Sequence, residues 1–126
     1  MGVPKKLGIW MDYSIAYLTE FTSNSFEIIK VEPTSFDSTK LYPIKTLALL
    51  LEKRDRLLKT YYYKIANKIK HYDRIIIFGT SNAKNDFFDV LSEDERFLKT
   101  KIEITNTDKM NRAEQNDFIK KYFSNK

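Results

Sequence analysis

The residues of this sequence best suited to binding chemistry are basic. Several of them recur at spacings that place them on one side of a helix, away from its apolar residues. They are Lys53, Arg56, Lys64 and Lys68. Such a row of positive charges can neutralise the phosphates of an RNA backbone, and the neighbouring Tyr63 could stack on a base. The alternative is a solvated surface, because long surface helices usually carry charges and a net charge of +5 also favours solubility.

Three further basic residues are candidates for the same RNA-binding role. Lys84 ends the segment 79–84, where a strand meets a helix whose free amides could hold a phosphate. This segment is not a P-loop, because the second glycine and the Lys-Ser/Thr pair are missing, and a plain turn with a solvated lysine is the favoured interpretation. Lys109 and Arg112 follow the last predicted strand and form a second small basic site with the same ambiguity.

The composition gives little support to catalysis. The chain has no cysteine and a single histidine, His71, which excludes disulfides and Cys-ligated metal centres and disfavours a Ser-His-Asp triad. A metal-dependent nuclease needs several converging carboxylates. Asp12 follows the first predicted strand, but the fourth ends in Gly79 and Thr80. We therefore interpret Asp12 as a turn residue and predict no catalytic residue, no metal and no cofactor.

Alternating apolar residues predict three strands at the start of the chain. These strands are residues 7–11, 15–21 and 26–31, and short turns join them into an antiparallel meander. The following segment, 32–46, has no clean period and contains two prolines, which predicts a loop. Apolar residues then recur at three- and four-residue steps over 45–70. This pattern falters at Arg54, so it predicts either one long helix or two helices that meet there.

The second half of the chain predicts alternating strands and helices. An apolar run at 74–78 is typical of a strand buried on both faces, and Ser81 can cap the helix that follows. Residues 101–105 alternate as a fifth strand. Asn111 and Glu114 resemble a capping box that opens a last helix.

The resulting order, βββαβαβα, predicts an α/β fold. Right-handed crossovers place strands four and five beside strand one, which gives a five-stranded mixed sheet of order 3-2-1-4-5, the ribonuclease H-like arrangement. We expect residues 1–126 to form a single domain. No apolar run is long enough to span a bilayer, and the apolar patch before Asp12 is too short for a signal peptide. A cytoplasmic location is therefore expected.

Several short segments resemble a known family. The run FGTSNAKNDFF at 78–88 resembles the glycine–lysine–phenylalanine segment in the middle domain of archaeal and eukaryotic peptide chain release factors and of Pelota. Residues 52–54 and 61–66 are similar to the helix that precedes it. The segments 8–12 and 107–110 resemble a group of small bacterial proteins placed near those factors.

This resemblance implies a ribonuclease H-like fold, in agreement with the topology derived from the hydrophobic pattern. In release factors, the catalytic Gly-Gly-Gln lies between the third strand and the long helix. Here that segment is 32–46, which contains no glycine and no glutamine. The resemblance therefore implies work at the ribosome without hydrolysis of peptidyl-tRNA.

Our first hypothesis is a non-catalytic, translation-associated protein that binds the ribosome, rRNA or tRNA through the basic helix face. The alternative is a protein–protein interaction module, a homodimer or a complex subunit, that uses exposed aromatic residues and the segment 33–43. A metal-dependent nuclease built on Asp12 is a third and weaker alternative. We expect no membrane contact and no small-molecule cofactor in any of these cases.

Overall fold

The computed structural model describes residues 4–21, 26–31 and 47–124. The predicted turn at 22–25, the predicted loop at 32–46 and the last two residues lie outside this range. Strands and helices follow one another in the predicted order. The strands are β1 Lys6–Met11, β2 Ala16–Phe21, β3 Phe26–Val31, β4 Arg74–Gly79 and β5 Lys101–Asn106. The helices are α1 Leu47–Ile69, α2 Ala83–Ser92, a 3-10 helix Glu95–Phe97 and α3 Arg112–Ser124.

The described strands form one sheet with the order β3-β2-β1-β4-β5. β2 pairs antiparallel with both β1 and β3, whereas β4 pairs parallel with both β1 and β5. The predicted α/β, ribonuclease H-like arrangement of order 3-2-1-4-5 is confirmed. Because β1, β4 and β5 are parallel, their carboxyl ends lie along one edge of the sheet, which we call the carboxyl edge.

Helices pack on both faces of this sheet. On one face, α1 and α2 enclose a core that includes Ile75 and Ile77 of β4. On the other face, α3 packs against Ile76 and Phe78 of the same strand. Alternate residues of β4 therefore enter two different cores, which explains why its sequence is an unbroken apolar run.

Helix α1 is continuous through Arg54, so the alternative of two helices is wrong. Residues 52–56 are all exposed, whereas Tyr61, Ile65 and Ile69 are fully buried. The Tyr61 hydroxyl donates a hydrogen bond to the Asp12 carbonyl oxygen (3.0 Å), directly after β1, so Tyr61 lies at the carboxyl edge. At 1.5 Å per residue, α1 begins about 20 Å before this point. The apolar pattern falters because residues 52–56 are exposed, while the helix backbone continues through them.

We call residues 47–56 the projecting half of α1 and residues 57–69 its anchored half. The distinction matters for the candidate interface, because basic residues occur in both halves. None of the helices in the described ranges is long and apolar enough to cross a membrane.

Two glycines permit close approaches around β1 and β4. A Cβ atom at Gly8 would collide with the Ile119 side chain, so glycine lets α3 pack directly on β1. Gly79 ends β4 with φ +152°, and a Cβ there would lie 2.5 Å from the Met11 carbonyl oxygen. A side chain at either position would disturb the packing around the centre of the sheet.

The sequence pattern missed the 3-10 helix at Glu95–Phe97. Its Phe97 side chain is buried, and the Asp94 carboxylate accepts a hydrogen bond from the Arg96 amide (3.0 Å). The Arg96 guanidinium forms an ion pair with Asp94 (2.8 Å) and donates to the Asn67 side chain of α1 (2.9 Å). The hydrogen bond from the Arg96 side chain holds the pKa of Asp94 below its usual value. The bond from Arg96 to Asn67 connects the 3-10 helix to α1.

Of the two predicted helix caps, the one before α3 is confirmed and the one before α2 is occupied by the neighbouring residue. Asn111 and Glu114 form the predicted capping box, because the Glu114 amide donates to the Asn111 side chain (2.8 Å) and the Asn111 amide donates to the Glu114 carboxylate (3.1 Å). Asn82, rather than Ser81, occupies the cap position of α2. The Ser81 hydroxyl still accepts a hydrogen bond from the Ala83 amide (3.3 Å).

Candidate nucleic-acid interface

The lysines of α1 form a stripe along one side of the helix. An α-helix turns by about 100° per residue, so Lys53 and Lys64, eleven positions apart, point within about 20° of each other. Lys68 lies one turn further along, and the three span about 22 Å. All three side chains are exposed, as is Arg56, which lies about 60° round the helix from Lys53. We call Lys53, Lys64 and Lys68 the α1 stripe.

The α1 stripe extends over both halves of the helix. Lys53 and the adjacent Arg56 belong to the projecting half, beyond the carboxyl edge. Lys64 and Lys68 belong to the anchored half, over the sheet. Tyr63, beside Lys64, is 54% exposed and leaves its ring open to a stacking partner. The structure thus keeps the α1 candidates together on the surface, and their contact with RNA stays a prediction.

Two buried tyrosines hold the anchored half in place. Tyr61 and Tyr62 are 0% and 4% exposed, as their interpretation as core residues predicted. The Tyr62 ring lies 5.9 Å from the Phe87 ring of α2, centroid to centroid. Burial raises the pKa of both tyrosines, and the negative charges of Asp12 near Tyr61 and of Asp86 near Tyr62 raise it further. Both hydroxyls therefore stay neutral at physiological pH.

Lys84 is buried, so the prediction of a solvated lysine is wrong. Its side chain is 1% exposed, and its Nζ donates a hydrogen bond to the Ser81 carbonyl oxygen (2.5 Å). Burial lowers the pKa of the Lys84 ammonium. Lys84 precedes Phe87 by three residues and Leu91 by seven, which places it on the buried face of α2. That spacing was the available signal, and we leave Lys84 out of the candidate interface.

Lys109 and Arg112 lie apart from the α1 stripe. Both are exposed, but they precede or begin α3, which packs on the opposite face of the sheet from α1. The Arg112 guanidinium stacks over the Tyr17 ring of β2, 4.3 Å from its centroid. This cation–π contact fixes the side chain on an aromatic surface. The basic candidates therefore form two separate groups, and a single short ligand on α1 does not reach both.

Asp12 serves the turn between β1 and β2. One carboxylate oxygen of Asp12 accepts hydrogen bonds from the amides of Ser14 (2.7 Å) and Ile15 (2.8 Å). Its interpretation as a turn residue is confirmed. Among the described residues, no group of three or more His, Cys, Asp or Glu side chains could hold a metal ion. The nuclease alternative gains no support from this part of the chain.

Comparison with known proteins identifies similar chains. No protein-family model matches the sequence. The sequence is 29% identical over 125 residues to a Pelota homolog of Methanocaldococcus jannaschii, a match that covers 98% of this chain and 33% of that protein. The chain resembles Pelota in sequence. The predicted resemblance to this group of proteins is confirmed.

Solved structures extend the resemblance to the fold. Pelota of Archaeoglobus fulgidus superposes with a TM-score of 0.63 at 14% identity, over 95% of this chain and 32% of that chain. Dom34 of S. cerevisiae, described as a translation termination-like factor that takes part in RNA quality control and interacts with Hbs1, superposes with a TM-score of 0.58 at 17% identity. That match covers 94% of this chain and 33% of Dom34. The chain thus spans about a third of the length of the proteins it matches.

Proposed function

We propose that this chain is a non-catalytic, cytoplasmic, translation-associated protein that binds ribosomes, rRNA or tRNA through the α1 stripe and Arg56. The observation that carries the proposal is the similarity to the Pelota homolog along 98% of the chain. Dom34, which shares the fold, is described as a translation termination-like factor involved in RNA quality control. Participation in translation is therefore the function that the relatives favour.

The surface chemistry of α1 supports a nucleic-acid partner. The α1 stripe presents exposed ammonium groups along about 22 Å of helix, and Tyr63 adds an exposed ring within the same region. Lysines arranged in this way neutralise phosphates without reading a base sequence. A stripe of this kind is better suited to bind the backbone of a folded RNA than to recognise a short base sequence.

A non-catalytic role agrees with the residues found at the positions where catalytic groups would be expected. The segment 32–46 has no glycine and no glutamine, so the Gly-Gly-Gln triplet expected from the resemblance to release factors is missing from its predicted position. Asp12 is engaged with the backbone of its own turn. The sequence therefore lacks the triplet expected for peptidyl-tRNA hydrolysis, and the described ranges hold no carboxylate cluster for metal-dependent cleavage.

Filter binding to purified ribosomes and to tRNA across a salt series tests the proposal. We expect the wild-type protein to be retained at low salt and to lose affinity steeply as salt rises. Reversing the charges of Lys53, Arg56, Lys64 and Lys68 to glutamate should weaken binding about 100-fold or more and reduce the slope of log affinity against log salt by about 3.

A matched control reverses four exposed lysines that lie elsewhere. They are Lys99, Lys101, Lys120 and Lys121. This variant changes the net charge by the same amount, and we expect it to keep most of the wild-type affinity. Equal losses in both variants would remove the assignment to α1. Absence of wild-type binding at low salt, to ribosomes and tRNA alike, would remove the proposed function itself.

A further inference from the structure

The strand at the parallel end of the sheet is only half covered. No residue of β5 is fully buried, whereas the adjacent β4 is buried along almost its whole length. In the described ranges, no strand pairs with the outer side of β5, which we call the β5 edge. Ile102 and Ile104 pair with core residues of β4 and lie half-buried on the face that carries α2. The β5 edge is therefore an open strand that carries apolar side chains.

Two hydrogen bonds show which backbone groups of β5 face outward. The Lys101 amide donates to the Asp73 carbonyl oxygen (3.0 Å), and the Thr107 amide donates to the Gly79 carbonyl oxygen (3.0 Å). Because successive backbone amides of a strand point to opposite sides, the odd-numbered residues of β5 bond to β4. The amides and carbonyls of the even-numbered residues therefore point to the open side, where a further strand can pair with them. These residues are Ile102, Ile104 and Asn106.

Further apolar side chains flank the β5 edge. Leu98, which lies three residues before β5, is 79% exposed. Phe88 of α2 is half-buried and lies about 160° round the helix from Val90, which lines a groove between α1 and α2. Phe88 therefore points away from α1. Because α2 contacts β4 and β5 while α1 contacts β3 at the other end of the sheet, this side of α2 lies toward the β5 edge.

We propose that the β5 edge binds the same edge of a second copy of the chain, which joins two five-stranded sheets into one. The two β5 strands run antiparallel about a two-fold axis perpendicular to the sheet, so α2 of both copies lies on the same face. Since α2 contacts both β4 and β5, it lies about one strand spacing from this axis. The two α2 helices are then about 10 Å apart, a usual distance between packed helices, with their Phe88 sides toward each other.

The charges of β5 select the register of this pairing. The axis can set Ile102, Glu103 or Ile104 opposite its own copy. An axis at Glu103 opposes two glutamates, which is unfavourable. An axis at Ile104 sets Glu103 opposite Thr105 and forms no ion pair. An axis at Ile102 sets Lys101 of each copy opposite Glu103 of the other, on either side of two isoleucines, and we assign the axis to this position.

Self-complementarity favours a second copy over other occupants of the β5 edge. Asp86, Asp89 and Glu93, the acidic residues of α2 and its C-cap, lie about 100° or more round the helix from Phe88. The facing sides of the two α2 helices therefore oppose no like charges. A strand of an unrelated protein would satisfy the outward amides as well, but the charges of β5 already match those of a second β5.

Single cysteines test the pairing and its register, because the chain has no cysteine of its own. Ile102→Cys sets two sulfurs at the axis, where the Cα atoms of a hydrogen-bonded pair lie about 5.5 Å apart, within the range that a disulfide spans. Under mild oxidation, we expect Ile102→Cys to form covalent dimers about 10-fold or more faster than Glu103→Cys or Ile104→Cys, each of which meets its own copy only in another register. Lys120→Cys, on α3, gives the rate of random collisions.

A proline at the same position tests the backbone contact. Ile102→Pro removes an outward amide and leaves the hydrogen bonds to β4 in place, so the strand tolerates it. It should raise the dissociation constant of the dimer roughly 100-fold, because both central bonds between the copies are lost. Ile102→Val keeps the amide and is the matched control, with an expected dissociation constant within about threefold of the wild-type value.

Sedimentation equilibrium and cross-linking distinguish the outcomes, and neither uses RNA, so the result is independent of the proposed function. Dimers of the wild type and of Ile102→Val, with fast cross-linking of Ile102→Cys, would support the proposal. A wild-type protein that is monomeric at its solubility limit would overturn it and leave the β5 edge to a strand of another protein. Ile102→Pro dimers of wild-type affinity would also overturn it, as would cross-linking of Ile102→Cys no faster than that of Lys120→Cys. Should the proline variant fail to unfold cooperatively, the cysteine variants still decide.

Discussion

The two halves of α1 differ in what holds them, although both carry basic residues. In the anchored half, Tyr61, Ile65 and Ile69 are completely buried against the sheet. In the projecting half, residues 52–56 are exposed all round. The position of the helix is therefore set by its second half, and the first half continues it by adding one hydrogen bond per residue. This arrangement carries Lys53 and Arg56 away from the domain while Lys64 and Lys68 stay over it.

The largest expected difference comes from the same substitution made in each half. Asn67→Pro removes a helix hydrogen bond in the anchored half and forces the turn before it apart, so it should lower the free energy of unfolding by about 3 kcal/mol or more. Asp55→Pro in the projecting half interrupts the helix within the exposed residues 52–56. We expect a loss below about 1 kcal/mol there, because only the turns before Asp55 separate. Urea denaturation measures both values.

Hydrogen exchange provides an independent view of the same contrast. Amides of residues 52–56 should exchange through local opening, faster than those around Ile65, which need global unfolding. Equal losses of stability for the two proline variants, together with equal protection of the two halves, would show that the projecting half belongs to the cooperative core.

Charge reversal in one half at a time sharpens the functional side of the comparison. Lys53→Glu with Arg56→Glu changes only the projecting half, and Lys64→Glu with Lys68→Glu changes only the anchored half. If the ligand follows the whole stripe, each pair should weaken ribosome or tRNA binding about 10-fold or more and reduce the salt slope by about 1.5 to 2. Filter binding of each variant to ribosomes and to tRNA measures both. A loss confined to one pair would restrict the interface to that half.

Local patterns were sufficient to predict the sheet. The apolar run of β4 reflects burial on both faces, and the alternation in β2 reflects one core on each side, so both strands could be located from sequence. Right-handed crossovers then left a single strand order. Periodicity failed at Arg54 because it reports which residues are buried, and a helix keeps its backbone through an exposed segment such as 52–56.

The predictions that were wrong or missing near the candidate site depend on contacts between residues that are distant in the sequence. Lysine is rarely buried, so residue type favours a solvated Lys84, although its spacing to Phe87 and Leu91 indicates the buried face. The 3-10 helix depends on Phe97 entering the core and on Arg96 reaching Asn67, and neither contact leaves a periodic pattern in the sequence. The packing of α2 against α1 brings the Tyr62 and Phe87 rings together, a contact between distant residues that no local rule predicts.

The smallest expected effect concerns the hydrogen bond that Tyr61 makes at the carboxyl edge. Tyr61→Phe keeps the buried ring and removes the hydrogen bond to the Asp12 carbonyl, so it should lower the free energy of unfolding by about 1 kcal/mol at neutral pH. Urea titrations of the wild type and the variant measure this difference. Tyr63→Phe, which removes an exposed hydroxyl, is the matched control and should change the stability little.

The pH dependence of Tyr61→Phe separates the hydroxyl from general packing. An unfolded tyrosine ionises near pH 10, whereas burial raises the pKa of Tyr61 in the folded state. Above pH 10 the unfolded chain therefore releases a proton that the folded chain keeps, so the wild-type stability falls with rising pH, by up to about 1.4 kcal/mol per pH unit from this residue. Tyr61→Phe lacks this contribution, and its stability should fall less steeply and meet the wild-type curve above pH 10. Parallel curves would show that Tyr61 ionises alike in both states, and the anchor at the carboxyl edge would then rest on ring packing alone.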